Sequence, residues 1–101
     1  MPIRQLKAAV TVSGTTATQP LAKGDGVCCG CRVVHTGSGA TITITDPNGY
    51  DVLDGLGTVG ASGLSLNADD IGGNPAKGDL TVNLTSGADE DTMTVYLYVK
   101  E

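Results

Sequence analysis

Three cysteines and the chain's single histidine fall within eight residues, Cys28-Cys29-Gly30-Cys31 and then His35. Thiolate and imidazole are the ligands zinc takes, at about 2.0–2.3 Å. A thiol beside an imidazole is also the minimal nucleophilic pair. The spacing argues against both uses. On an extended strand Cys29 and Cys31 share one face while Cys28 points to the other, so only a break at Gly30 would close the set on one ion. Cys31 and His35 would stand ~13 Å apart by strand rise, beyond hydrogen-bond reach. Buried cysteine acting as a small hydrophobe is the better reading. Zinc binding and redox or crosslinking chemistry stand as alternatives that metal analysis would separate. His35 ends an apolar run, where capping or exposure explains it.

The other chemical patterns reduce to turns. Gly55-Leu56-Gly57-Thr58-Val59-Gly60 matches G-x-G-x-x-G, but a dinucleotide site needs a helix to begin there and hold the pyrophosphate. The residues that follow, Ala61–Asn67, make a poor helix. Asp46, Asn48 and Asp51 could donate oxygens to calcium, yet the segment lacks the glycine position and distal glutamate of an EF-hand. Asp46-Pro47-Asn48-Gly49 reads as a hairpin turn, because Pro presets one φ and Asn-Gly accepts a positive one. Asp89-Glu90-Asp91 reads as solvated turn. No carboxylate pair stands out, so the expectation is a non-enzymatic chain with no catalytic residue, no metal and no cofactor.

Composition bounds the class. One hundred and one residues make one domain, 1–101, with residues 1–7 a candidate extended N-terminal arm. Phe and Trp are absent and Tyr50, Tyr96 and Tyr98 are the only aromatics. The core must then be Val, Leu, Ile, Ala, Cys and Met, a thin one, for which assembly with partners is a source of further burial. The isolated chain is therefore expected to melt below its assembled form. With a net charge of −5 and six scattered Lys and Arg, no basic stripe is available to phosphates, and nucleic acid is not an expected partner. No signal peptide or apolar span is visible, so neither membrane nor secretion is expected. The odd cysteine count suits synthesis in a reducing cytoplasm. The sequon Asn83-Leu84-Thr85 reads as strand surface.

These residues must be positioned by strands. Asp79–Thr85 and Thr92–Lys100 alternate apolar and polar around the Ser86–Asp91 break, which predicts a closing β-hairpin. Its dry face is Leu80, Val82, Leu84, Met93, Val95, Leu97 and Val99. Further strands are expected at about 6–13, at Gly26–Thr36, at Ala40–Thr45 with its Thr-Ile-Thr-Ile-Thr centre, and in short pieces at Tyr50–Leu53 and Leu64–Leu66. Gly14–Asp25 reads mostly as loop with a brief strand near Ala17, and Asp69-Asp70-Ile71 as one helical turn. About seven strands spaced by turns predict an all-β antiparallel sandwich, immunoglobulin-like or jelly-roll-like, with a small β-barrel or β-tulip as the alternative. Ala22-Lys23-Gly24-Asp25 and Ala76-Lys77-Gly78-Asp79 are identical tetrapeptides, read as one turn chemistry used twice. Tyr96 and Tyr98 lie on the wet face of the last strand, either as an ordinary sheet cover or as a partner-contact stripe.

Over its full length the chain resembles small structural proteins of tailed-bacteriophage virions, above all capsid decoration (cement) proteins. The likeness lies in the Met-Pro opening, the Thr/Gly/Ala/Val/Asp-rich strands, the Thr-Ile-Thr-Ile-Thr-Asp-Pro-Asn-Gly turn and the two terminal alternating strands. It implies a non-enzymatic, often oligomeric, multi-copy module on the capsid exterior, without cofactor, bound to the major capsid protein or another virion protein. The three cysteines depart from that pattern. A net-negative domain suits the outer face of a shell, away from packaged DNA. Pro2, Ile3, Arg4, Leu6 and Lys7 of the arm, with Tyr96 and Tyr98, are the partner-contact candidates. The alternative is an adhesive or carbohydrate-binding β-sandwich of a tail fibre or cell surface.

Overall fold

Two-residue alternation carries through into nearly the whole backbone. The computed structural model describes residues 3–35, 37, 39–71 and 73–100. In chain order these form β1 (Ile3–Thr11), β2 (Ala17–His35), β3 (Ala40–Thr45), β4 (Thr58–Val59), β5 (Leu64–Leu66), α1 (Ala68–Ile71), β6 (Asn74–Thr85) and β7 (Thr92–Lys100). Every pairing is antiparallel. The strands run β1-β7-β2-β6-β3-β4, with β5 beside β2. The architecture is all-β, a seven-strand sheet curled over one core. That core holds Val, Leu, Ile, Ala, Cys and Met and no tyrosine.

The 19-residue β2 makes the curl possible. Its first part, Ala17–Cys28, pairs with β6, and its last part, Val27–His35, pairs with β7. Val27 and Cys28 belong to both ladders, so the strand turns a corner there. Glycine permits the turn. A Cβ at Gly24 would run into the carbonyl of Ala76, and one at Gly26 into the carbonyl of Lys100. Strand glycines of this kind mark corners where backbones approach closely.

Several sequence expectations are corrected here. Gly14–Asp25 is not mostly loop, since Ala17–Asp25 is the first half of β2. Its Gly, Pro and Lys-Gly-Asp residues resemble loop chemistry, but they sit at a register shift between Pro20 and Lys23 and at the corner. The last two strands do not form a hairpin. β6 pairs with β2 and β3, whereas β7 pairs with β1 and β2. Alternation fixes which face of a strand is dry and not which strand lies beside it, and β2 occupies the place between them. Nor is the N-terminal segment an arm, because β1 is paired with β7 from Ile3↔Lys100 to Thr11↔Thr92. Pro2 lies outside the described residues.

The Asp46–Gly49 turn forms as read, with Gly49 at φ 86° and its N–H donating to the Asp46 carbonyl at 3.0 Å. The expected return strand at Tyr50–Leu53 shrinks to one bridge, Thr45↔Asp51. Beyond it the chain turns so that Val52 and Leu53 plug the core at 2 % and 0 % exposure.

Candidate interaction surface

The chemical candidates resolve first. The β-bulge between Cys28 and Gly30 shifts strand parity by one residue. Cys28 and Cys31 therefore both face the core, and Cys29 is the half-buried one, which corrects the pairing of Cys29 with Cys31. Burial pushes the Cys31 thiol up to about 12, with the neighbouring Cys28 and Asp51 adding to it. Burial raises Cys28 as well, against a hydrogen bond to the Gly30 carbonyl that lowers it. A thiol held protonated is a weak nucleophile, and it must give up that proton to ligate a metal. Among the described residues no three His, Cys, Asp or Glu side chains gather as a metal centre would require.

His35 is buried, not exposed. Its Nε2 accepts the Gly39 N–H at 2.8 Å and stands 4.0 Å from Asp91 Oδ2. The ring thus ties the end of β2 to Gly39, one residue before β3.

Two of the loop carboxylates, Asp46 and Asp51, are occupied by backbone. Asp46 Oδ1 accepts the N–H groups of Asn48 and Tyr50. Asp51 accepts three, from Ile44 and Leu53 at Oδ1 and from Gly55 at Oδ2. Together with Ile42 N–H on the Gly57 carbonyl and Asp46 N–H on the Tyr50 carbonyl, they seal the outer edge of β3 against further strand pairing. A cleft of about 360 Å³ opens beside this loop, lined by Asp46, Tyr50, Asp54, Asn74 and Pro75 among others.

The partner-contact candidates divide between the two sides of the sheet. Leu6 is a core residue at 4 % exposure, which removes it from any surface. Arg4 shares its inward parity and is half-buried, its Nη1 donating to the Lys23 carbonyl at 3.5 Å. Ile3 and Lys7 point outward with Tyr96 and Tyr98. The register sets this outer face in rows across β1, β7 and β2. These are Ile3–Lys100–Val27, Gln5–Tyr98–Gly30, Lys7–Tyr96–Arg32 and Ala9–Thr94–Val34. Lys7 Nζ lies 5.7 Å from the centre of the Tyr96 ring, a cation–π distance. The Tyr98 ring covers Gly30, where an added Cβ would come within 3.4 Å of its Cδ2.

Val27, Arg32 and Val34 were not singled out from sequence. The bulge hides them, because without it their parity relative to β7 cannot be assigned.

Charge on this face is one-sided. The outward-facing side chains of β1, β7 and the Val27–His35 part of β2 include Lys7, Arg32 and Lys100 and no Asp or Glu. In a chain of eleven acids and six bases that is a marked segregation. The surface can bind by apolar contact, tyrosine stacking and attraction to negative charge. No protein family, no curated protein and no solved structure matches this chain.

Proposed function

We propose that the chain is a non-enzymatic structural module of a virion, a decoration protein on the outside of a phage capsid, acting through protein–protein contact. The observation that supports this is the outer face of β1, β7 and β2. There Tyr96 lies half-buried between Lys7 and Arg32, and Tyr98 half-buried in the next row between Gln5 and Gly30, with Ile3 at 60 % and Val34 at 42 % exposure nearby. Tyrosine and arginine are over-represented at the energetic centres of interfaces. The rest of the molecule suits a passive, multi-copy part. Its edge at β3 is sealed, and its buried thiols are inert. Many weak contacts on a repeating lattice would add by avidity.

The test is whether a major capsid gene flanks this chain's own and whether the chain cosediments with empty heads assembled from that gene's product. Saturable binding that raises the melting temperature of the heads supports the proposal. Absence of binding, together with a hit on a glycan array, would move the chain to the adhesive class instead.

A further inference from the structure

Five large apolar side chains are exposed among the described residues, and they fall into two groups of opposite charge. Ile3, Val27 and Val34 lie on the acid-free sheet face. Tyr50, at 73 % exposure, and Leu56, at 42 %, lie on the loop 46–56, which carries Asp46, Asp51 and Asp54 and no Lys or Arg. Asp54 and Tyr50 line the cleft beside that loop. A single exposed apolar residue needs no explanation. Two apolar clusters with opposite charge on one small chain form a complementary pair.

We infer that this chain binds a second copy of itself, the acidic Tyr50 loop of one copy seating on the basic tyrosine face of the other. Within one molecule the two patches adjoin. Val27 is paired with Pro75 of β6, and Pro75 lines the cleft together with Tyr50. A twofold axis passing near Val27 and Pro75 therefore lets both patches be used at once, giving two identical contacts per dimer. Twofold self-complementary contacts are the commonest way small proteins pair. Charge sets the orientation, since face against face would oppose Lys7 and Arg32 to their own copies, and loop against loop would oppose the aspartates. The apolar and aromatic groups at each centre supply the area that exclusion of water rewards. The inference rests on reading the sheet face as a protein-contact surface and names its partner. It does not depend on the capsid.

Sedimentation velocity of the full chain across concentrations up to about 100 µM tests it, a range in which a micromolar contact is mostly formed. The expected result is a monomer–dimer equilibrium that weakens in high salt. Arg32→Glu and Asp54→Arg each weaken it by about tenfold or more, whereas Lys23→Glu, farther along the Ala17–Asp25 part of β2, does not. Mixing the Arg32→Glu and Asp54→Arg variants restores a heterodimer, because each altered patch meets its altered complement. Circular dichroism melting shows that each variant is folded. A wild type that stays monomeric at low salt overturns the inference, and so does equal weakening by the Lys23 variant. Capsid cosedimentation by a strictly monomeric chain would sink the dimer and leave the decoration proposal standing. A salt-sensitive dimer that ignores capsids would do the reverse.

Discussion

Gly24 of β2 lies directly opposite Gly78 of β6, and the residues on either side pair as Lys23↔Asp79 and Asp25↔Lys77. The Lys-Gly-Asp parts of the two identical tetrapeptides therefore pair antiparallel with each other. An Ala-Lys-Gly-Asp strand set against its own reverse places Lys opposite Asp on both flanks and Gly opposite Gly at the centre. One sequence thus satisfies both partners at the corner of β2.

Gly24 is the sterically demanding member of that pair. A methyl there would enter the space of the Ala76 carbonyl, which is backbone and cannot swing aside. Gly24→Ala is expected to cost about 3 kcal/mol in urea unfolding, as an overpacked site does. Gly14→Ala is the control. Gly14 has positive φ but nothing within 4 Å of the added carbon, so only the left-handed conformation is penalised, by about 1 kcal/mol. Equal losses at the two sites would contradict the close approach at the corner.

The flanking charges act more weakly, since Lys23, Asp25, Lys77 and Asp79 are all exposed. Opposed charges across an antiparallel ladder contribute about 0.2–1 kcal/mol, and like charges oppose it similarly. Lys23→Asp should lower stability by up to about 1 kcal/mol, and Lys23→Asp combined with Asp79→Lys should recover most of that loss. A double-mutant cycle with no coupling would show the register to be set by the glycines alone.

The corner also shows what a period-two reading can and cannot see. The dry face of β6 and β7 was legible residue by residue, from Leu80 to Val99, because alternation reports burial directly. Their separation by β2 was not, because pairing partners are chosen by the whole sheet. Ala17–Asp25 looked like loop because Gly, Pro and Lys-Gly-Asp serve corners as well as turns. The tyrosine face was half legible. Tyr96 and Tyr98 follow from their own strand, but Arg32 and Val34 join them only through the bulge at Cys28–Gly30. That same bulge reversed the parity read for the cysteines.

Asp51 organises the loop that closes the β3 edge, accepting three backbone N–H groups with its two oxygens. Hydrogen bonds to an ionised acceptor contribute more than neutral ones, and orphaned donors cost their desolvation. Asp51→Ala is expected to lower stability by about 2–4 kcal/mol and to speed amide exchange at Ile44, Leu53 and Gly55. Asp51→Asn, which keeps one acceptor oxygen, should fall between it and the wild type. Unchanged exchange at those three amides would show that the loop is held by Val52 and Leu53 alone.

The cysteines give stability a dependence on alkali with a definite sign. Cys31 titrates near 12 in the folded chain, against about 9.0 for an ordinary thiol, and Cys28 is also raised. Between those values the unfolded chain loses thiol protons that the folded chain keeps, so the unfolded state binds fewer protons and stability falls as pH rises. The full contribution is present below pH 9. Above it the slope for Cys31 approaches about 1.4 kcal/mol per pH unit until its folded value is reached. Cys31→Val removes that titrating group and should flatten the alkaline limb of a urea midpoint–pH curve by that amount. Thiol labelling of the native chain near pH 8 should modify Cys29 first, because it alone is not fully enclosed, and all three in urea. A curve for Cys31→Val that falls as steeply as the wild type would show that Cys31 does not carry the alkaline loss.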